Sequence, residues 1–508
     1  MRAFTKRESE IKIYESGESG VYGAIWSPAK PVSGTTETLG FAEGLRVTDS
    51  KKYYEYQPVN SKTTKRIETN VNFKIDIDDL YLDAAWDDRF NSGLPFDLMI
   101  TDDNEDESKE IVTYYRNCTI DSMSRDEGDY TKRGISITAE RKEITYQGDT
   151  TSLIRTGAAV GKTSADFNSI YPWAGRQRVA LDSSGVVQGV HHATDTDKWD
   201  DGSSVDWATY ESNGWNCMVQ VPKFWYRKEK VGGAWRFEIV PEKKNDYKVH
   251  PAFIDSDGSE RDYYYRGAFE AWVDGNGRLR SLPSYTGRAT PVQPTTDKTF
   301  TQFQDYATAG DVKVADGKIL EAEQMQFFIE YATLHSQSVF RGIVDLDSGS
   351  GNCSQDTGYT LSLGNASGEV SISATNGVSG TCKPFSYRGT ENFYGNVWEW
   401  VEGVVWSWNS GSPTLTVDGV IYPMSDTTSG TGYTTEFEET TGFFMPAIKT
   451  TGTELTYTTD YLWRAKVDNT IPRFGGCWDY GDAAGALCLY LNDPDSYSLR
   501  HVGARAAF

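Results

Sequence analysis

Thiol and imidazole side chains are scarce in this chain, with 6 cysteines and 5 histidines among 508 residues. Cys118, Cys217, Cys353, Cys382, Cys477 and Cys488 contain no CxxC pair, so neither a disulfide scaffold nor a zinc site is expected. A single Cys353 to Cys382 bridge stays open. His191, His192, His250, His335 and His501 are too scattered for a catalytic triad or a metal cluster. Long apolar runs are also missing: no stretch reaches about 18 apolar residues, and "MRAFTKRESEIKIYESGESG" meets charge and glycine before a signal-peptide core can form. The expectation is a chain made and kept soluble in a cytoplasm, without membrane insertion. Positive charge is short as well. Lys and Arg number 50 against 73 Asp and Glu, a formal charge of −23. That sign opposes tracking a phosphate backbone or an anionic leaflet, so no nucleic-acid specificity is expected.

Catalytic and ligand motifs are thin. "GAAVGKTS" has three residues between Gly157 and Gly161, where a phosphate-binding loop needs four to wrap backbone N–H groups around phosphates. Asp195, Asp197, Asp200 and Asp201 do not follow the calcium-loop spacing. No GxSxG occurs, and carboxylate pairs in so acidic a chain are too numerous to mark a glycosidase. No cofactor, metal or enzymatic activity is expected.

Aromatic residues, by contrast, make up 13% of the chain, with 30 Tyr and 15 Trp. They suit β-structure and recognition surfaces alike. The length exceeds one ordinary core, so several domains are expected. Over residues 1–150, period-2 alternation at Ile11/Ile13, at Val71, Phe73, Ile75 and Ile77, and at Ile135/Ile137 predicts half-buried strands. Further strands are expected at 96–100 and 111–120, flanking the acidic loop "TDDNEDESKE", and a short helix at Asp79–Phe90. Together these imply a β-sandwich or small barrel with one helix. "SKKYYEYQPVNSKTTKRIETN" reads as a long polar loop that either moves freely or lies flat on a neighbour. Residues 151–169 have the Thr, Ser and Gly content of a linker.

From 170 onward the texture changes. Met218, Val219, Val221 and Phe224 form an apolar strand closed by Pro222-Lys223, and "VHPAFIDSDGSERDYYYRGAF" reads as two short strands around an acidic turn. Helices are expected near "TFTQFQDYATAG" and at "ILEAEQMQFFIEYATLH", where Leu320, Met325, Phe328, Ile329 and Ala332 share a core face. The rest is Gly-, Ser- and Thr-rich with short strands, which implies a loop-rich α+β domain over 170–508.

The first 150 residues resemble, in size and pattern, the tail-tube family of tailed phages. The motifs "GNVWEWVEG", "RFGGCW" and "GARAAF", in that order after a helix pair, resemble the C-type-lectin fold in its formylglycine-generating-enzyme-like branch. With "VPKFWYRKE", "VHPAFID", "IEYATLHSQS" and "YRGTENFYGNVWEW" they are also similar to lectin-like domains of phage tail and fibre proteins and to the variable proteins of diversity-generating retroelements. Gly395, Asn396, Trp398, Trp400, Gly475, Gly476, Trp478, Gly503 and Arg505 are read as scaffold. Glu391 and Glu399 call for buried cationic partners, with Arg388, Arg464 and Arg505 the candidates.

In "ALCLYLNDPDSYSLRHVGARAAF" Leu487, Leu489 and Leu491 are expected to face the core, which sends Cys488, Tyr490 and Asn492 outward. The resemblance implies that this segment forms a binding face. Its candidate residues are Asp479, Tyr480, Asp482, Tyr490, Asn492, Asp493, Asp495, Tyr497, Arg500 and His501, within the terminal segment 473–508. Oxidases of the formylglycine-generating type are the rival class, since they hold copper through two cysteines soon after the Gly-Gly motif. Cys477, however, directly follows Gly475-Gly476, and Cys488 lies eleven positions later, which departs from that pattern. The expected protein is therefore a phage tail protein made in the bacterial cytoplasm. Its first domain would self-associate and meet other tail proteins, and its lectin-like domain would meet a bacterial surface glycan or protein. A low-copy fibre or baseplate receptor binder and a non-binding tail decoration are the alternatives.

Overall fold

The fold was obtained as a computed structural model. Before residue 147 it describes residues 9–14, 20–26, 38–56, 65–81, 96–102, 111–125, 132–139 and 141–146, mostly as backbone. Beyond them it describes 153–159 and 161–508 without 232–233, 287, 347–351, 377, 428–429, 435 and 448–459. Strands in several sheets dominate the described residues and helices are few. No helix among them is long and apolar enough to cross a membrane. The chain divides into two compact units. One comprises Met1–Thr150, Ile154–Gly161 and Lys230–Arg236, and the other Thr151–Leu153, Lys162–Glu229 and Phe237–Phe508.

The first unit contains β1 (Ser9–Tyr14), β2 (Tyr22–Trp26), β3 (Thr38–Tyr56), β4 (Lys65–Tyr81), β5 (Phe96–Asp102), β6 (Ile111–Arg125), β7 (Lys132–Ala139) and β8 (Arg141–Tyr146). Seven of them pair antiparallel in the order β5-β1-β3-β4-β7-β6-β8. A further pairing of β5 with β6 makes the first six a hydrogen-bonded circuit. Ile75 stands between Val47 and Ile137, and Ile77 between Leu45 and Ile135. Such cross-strand apolar rows are the unit of sheet stabilisation and fix the register.

Two expectations need correction here. Asp79, Leu80 and Tyr81 end β4, so the start of the expected helix Asp79–Phe90 is strand, because Leu80 and Tyr81 pair with Arg133 and Lys132. The remainder of that helix lies outside the described residues. The expected polar loop at 50–70 is largely ladder: β3 and β4 stay paired out to Tyr56↔Lys65. Alternate polar residues do not prevent backbone pairing, and a ladder needs no apolar face where it leaves the core. Within 151–169, Ile154–Gly157 pairs with β2, and Asp166–Ser169 forms a 3-10 turn.

In the second unit a seven-stranded sheet runs in the order Asp195–Trp199, Val187–His192, Gln177–Leu181, Asn216–Pro222, Tyr263–Gly267, Ala506–Ala507 and Lys313–Val314. Asn216–Pro222 is buried at every position, so the apolar run reads as a central strand rather than an alternating one. The terminal Ala506–Ala507 lies between Tyr263–Gly267 and Lys313–Val314. Helix Phe300–Ala309 opens with a Thr299/Gln302 capping box, which satisfies two otherwise unpaired N–H groups.

Helix Gly317–Tyr331 is capped by Asp316, whose carboxylate accepts from the Ile319 N–H at 2.9 Å, and ends on Ala332 in the left-handed region at φ 52°. In place of the single apolar stripe expected from its spacing, it is buried on all sides, Glu321, Glu323 and Glu330 included. Burying a carboxylate costs several kcal/mol unless cations compensate, and each of these has one. Glu321 pairs with Lys228, and Glu330 with Arg388 at 2.6 Å. Glu323 pairs with Arg176 at 2.6 Å and with Arg266. Burial alone would raise the Glu323 carboxyl, but Arg266 and Arg176 more than offset it and hold it below its ordinary value. Arg266 continues to Glu399 at 2.7 Å, which also holds Arg505 at 2.7 Å. This chain of alternating charges joins Arg176, the central helix, the strand Tyr263–Gly267, the strand Trp398–Trp400 and the terminal segment.

Of the three proposed partners for Glu391 and Glu399, only Arg505 binds either carboxylate, that of Glu399. Arg388 holds Glu330, and Arg464 holds Asp426 at 2.9 Å. Glu391 is satisfied by the N–H groups of Gly358 and Thr360 and by the Thr360 hydroxyl, each at 2.7 Å.

Candidate functional site

A six-stranded sheet carries the conspicuous surface of the second unit. Its order is Gly430–Tyr433, Tyr461–Arg464, Leu489–Tyr490, Arg473–Phe474, Trp398–Trp400 and Val502–Gly503. Pleating sends successive side chains to opposite faces. Glu399 therefore reaches the inner charge network while its neighbours Trp398 and Trp400 serve the other face. In the ladder Trp463 stands opposite Tyr490, Tyr490 opposite Arg473, and Tyr433 opposite Tyr461.

The result is a continuous aromatic row. Tyr433 and Tyr461 lie 4.9 Å apart, Tyr461 and Trp463 4.4 Å, and Trp463 stacks on Tyr490 at 5.9 Å. Trp398, fully buried beneath, meets Trp463 at 5.7 Å, Tyr490 at 5.8 Å and Tyr480 at 5.1 Å, all edge to face. Tyr433, Tyr461, Trp463, Tyr480 and Tyr490 are half-buried, so each shows part of its ring to solvent over a rigid floor. Arg473 fixes one end: its guanidinium lies 5.4 Å from the Trp400 ring, 4.2 Å from Tyr490 and 4.7 Å from Tyr497, and it pairs with Asp493. Guanidinium held between aromatic faces orders those rings. At the other side His501 meets Trp478 at 5.8 Å and Tyr480 at 6.3 Å. Burial pushes the His501 imidazole down to about 4, so it is neutral at neutral pH.

The structure brings some of the sequence-derived residues together and separates others. Tyr480, Tyr490 and His501 belong to the aromatic row; Asp493 and Tyr497 gather with Tyr490 around Arg473. Asp482 instead forms an exposed ion pair with Arg341 at 2.6 Å, and the Asp495 carbonyl accepts from the Phe300 N–H at 2.9 Å. Asp479 is exposed and accepts from the Cys477 thiol at 3.1 Å. Asn492 and Arg500 are half-buried.

Cys488, expected to face outward, is fully buried. The strand is only two residues long, and the chain before it is packed on both sides. Gly476 helps to make the room: at φ 82°, an added Cβ would lie 2.5 Å from the Ala484 Cβ and 3.7 Å from the Cys488 sulfur. Burial raises the thiols of both Cys477 and Cys488. Raised thiols oppose the thiolate pair that copper would need. Cys353 and Cys382 are thiols in the same apolar cluster, with no bridge between them. Among the described residues no group of three or more His, Cys, Asp or Glu could hold a metal ion.

The scaffold residues sit beneath this face. Asn396 takes φ 58°, donates to Glu270 at 2.5 Å and accepts from the Gln355 N–H at 2.7 Å. Arg505 donates to the carbonyls of Gly267, Glu391 and Asn392 as well as to Glu399. Gly395, Gly475, Gly503, Trp400 and Trp478 are buried with them. Sequence reading missed Tyr433, Tyr461, Trp463 and Arg473. The alternation in "YLWR" was the available signal for Tyr461 and Trp463.

A separate feature stands out in the first unit. β7 pairs with β4 only from Phe73 to Tyr81, and β1 pairs with β3 only over Thr38–Ala42. Among the described residues, Ser50–Tyr56 and Lys65–Asn72 pair only with each other, as a two-stranded arm. Residues 50–72 hold five cations and two carboxylates, against the sign of the whole chain.

No family model and no curated protein matches this chain. Solved structures with some likeness include the SPP1 tail tube (12% identity, 28% of this chain and 79% of that chain, TM-score 0.19). The virion of the native gene transfer agent particle is another (10% identity, 22% and 88%, TM-score 0.17). The Major Tropism Determinant M1 variant covers more (12% identity, 65% and 71%, TM-score 0.25). At such TM-scores the likeness settles neither fold nor function.

Proposed function

We propose that this chain is a structural tail protein of a bacteriophage virion. Its first unit, built mainly of β-strands, assembles with copies of itself and with other tail proteins; its second, lectin-like unit presents a binding face to the bacterial surface. The aromatic row on the six-stranded sheet carries the reading. Tyr and Trp supply large contact areas at small entropic cost, and a row of them, half-exposed on a rigid floor, is the composition of a recognition surface. The ordered motifs of 395–403, 473–478 and 503–508 support the lectin-like assignment. Lateral assembly falls to the cationic arm, whose sign opposes the net charge of −23 on a neighbouring copy. Many copies would turn weak single contacts into firm attachment through effective concentration. The protein acts without catalysis, metal or cofactor.

The binding half is tested with the purified chain, fluorescently labelled and sedimented with cells of the host bacterium. The unaltered chain should co-sediment, and the double variant Trp463→Ala/Tyr490→Ala should lose at least tenfold in bound fraction. Equal co-sedimentation of the two would reject the aromatic row as the receptor face.

A further inference from the structure

The hairpin of Thr414–Val417 with Val420–Pro423 ends its sheet in an open strand edge. Asp418 and Gly419 form its turn, both at positive φ (47° and 80°), the type I′ geometry whose twist matches that of the flanking strands. Val404–Ser407 pairs with the inner strand, and among the described residues no strand pairs with the outer side of Val420–Pro423. One face is anchored, since Val404, Trp406, Leu415 and Val417 are buried. The outer strand stands clear of that anchorage. Pleating sends Val420 and Ile421 to opposite faces, yet they are 54% and 65% exposed, and Ile421 is the most exposed large apolar side chain among the described residues.

The parity of the ladder shows where the spare backbone groups point. The Met424 N–H donates to the Pro413 carbonyl at 2.9 Å. Bonded and non-bonded pairs alternate along an antiparallel ladder, so Val420, Tyr422 and Met424 bond inward to the neighbouring strand. The N–H and C=O of Ile421 therefore point outward, as does the C=O of Pro423. Soluble proteins guard such edges with charge, proline or bulges. Here Pro423 guards one end only, and residues 420–424 carry no charge in a chain of formal charge −23. A second copy can approach this strand without like charges meeting on it.

We propose that Val420–Pro423 is a two-fold interface at which two copies of the chain join their sheets edge to edge. Antiparallel pairing centred on Ile421 gives each Ile421 N–H the carbonyl of its twin. It sets Ile421 beside Ile421 on one face and, twice over, Val420 beside Tyr422 on the other. Aromatic and β-branched side chains are favourable cross-strand partners. Pro423 cannot donate, so the ladder stops there and registers centred nearer to it are disfavoured. The same patch serves both partners, as a two-fold contact requires. So small a contact is weak between free chains and firm between copies already held close together. It depends neither on the aromatic row nor on assembly by the first unit.

The test is disulfide trapping in the full-length chain. Residues in a bonded antiparallel pair have Cα atoms about 5.5 Å apart, within disulfide reach. Under mild oxidation Ile421→Cys should form a covalent dimer, reversed by dithiothreitol, in at least fivefold higher yield than three controls. These are the unaltered chain, Val186→Cys, which is 54% exposed elsewhere, and Thr416→Cys, one strand inward. A mixture of Val420→Cys and Tyr422→Cys chains should cross-link, whereas each variant alone should not. Val186→Cys carries whatever contacts the first unit makes, so the result is read separately from tail assembly. A yield for Ile421→Cys no higher than for Val186→Cys would reduce the contact to chance collision and overturn the proposal. Cross-linking of Val420→Cys alone as strong as that of the mixture would exclude the two-fold register and overturn it too, as would an Ile421→Cys chain that stays monomeric because another protein occupies the edge.

Discussion

The two units are held together by different means. In the first, long strands pair along ladders broken only by local register shifts, with β3 and β4 running from Ala42↔Leu80 to Tyr56↔Lys65 across one shift at Lys52/Tyr53. In the second, many strands are two to four residues long, and order comes from buried side chains: the charge chain from Arg176 through Glu323, Arg266 and Glu399 to Arg505, and the aromatic clusters around it. A backbone ladder tolerates many side chains, whereas a buried charge chain fails if one member is removed. A unit that must assemble repeatedly suits the first kind of order; a unit that must hold loops and rings in one geometry suits the second.

The largest expected effect follows from that difference. Glu323→Ala leaves Arg176 and Arg266 buried without their shared carboxylate and should cost about 3–5 kcal/mol. In hydrogen exchange followed by mass spectrometry, protection should fall across the helix Gly317–Tyr331 and its neighbours while β3 and β4 keep theirs. Equal loss in both units would erase the distinction.

The reciprocal change is Ile75→Pro. Ile75 pairs with Val47 on one side and Ile137 on the other, so proline removes a ladder donor inside a doubly paired strand. An unsatisfied backbone partner costs about 1–3 kcal/mol, read as a lower urea midpoint for the first unit.

A smaller effect is electrostatic. Burial pushes the Glu270 carboxyl up to about 8, against the pull of Arg505. The folded protein therefore binds a proton that the unfolded chain has released once pH exceeds its ordinary value of 4.5. Stability from this group is fully present below that pH, and it is lost as pH rises to about 8. Glu270→Gln should flatten this decline in urea midpoints measured from pH 5 to about 8. An unchanged slope would assign the decline to other groups.

Trp463→Ala should perturb stability least, because the ring is half-exposed above Trp398. Its melting temperature should stay within a few degrees of the unaltered chain while cell binding falls. A large drop in melting temperature would move Trp463 from recognition to core.

The same contrast explains what the sequence revealed. Period-2 alternation at Val71–Ile77 and Ile135/Ile137 marked strands of the first unit because the ladder there is long enough for a period to show. The helix Gly317–Tyr331 was visible from its apolar stripe, but its buried glutamates were not. Their partners, Arg176, Arg266 and Arg388, lie from 57 to 147 positions away. Spacing along the chain cannot reveal such pairs. The Leu487, Leu489, Leu491 alternation misplaced Cys488 because the strand is two residues long and packed on both sides. Tyr490 was singled out by the strand alternation and Tyr480 and His501 with the loops beside it, as candidates only. Tyr433, Tyr461, Trp463 and Arg473 join them only across a ladder assembled from distant segments.

The central claim is that the first unit builds the tail while the second displays a binding face. It is tested most directly by the copy number and position of this chain in particles purified from a phage whose genome carries its coding sequence, from quantitative gel densitometry and cryo-EM. Many copies along the tail, with the second unit outermost, is the predicted result. A handful at the tail tip would contradict tail building by the first unit, and absence from the particles would contradict the virion assignment itself.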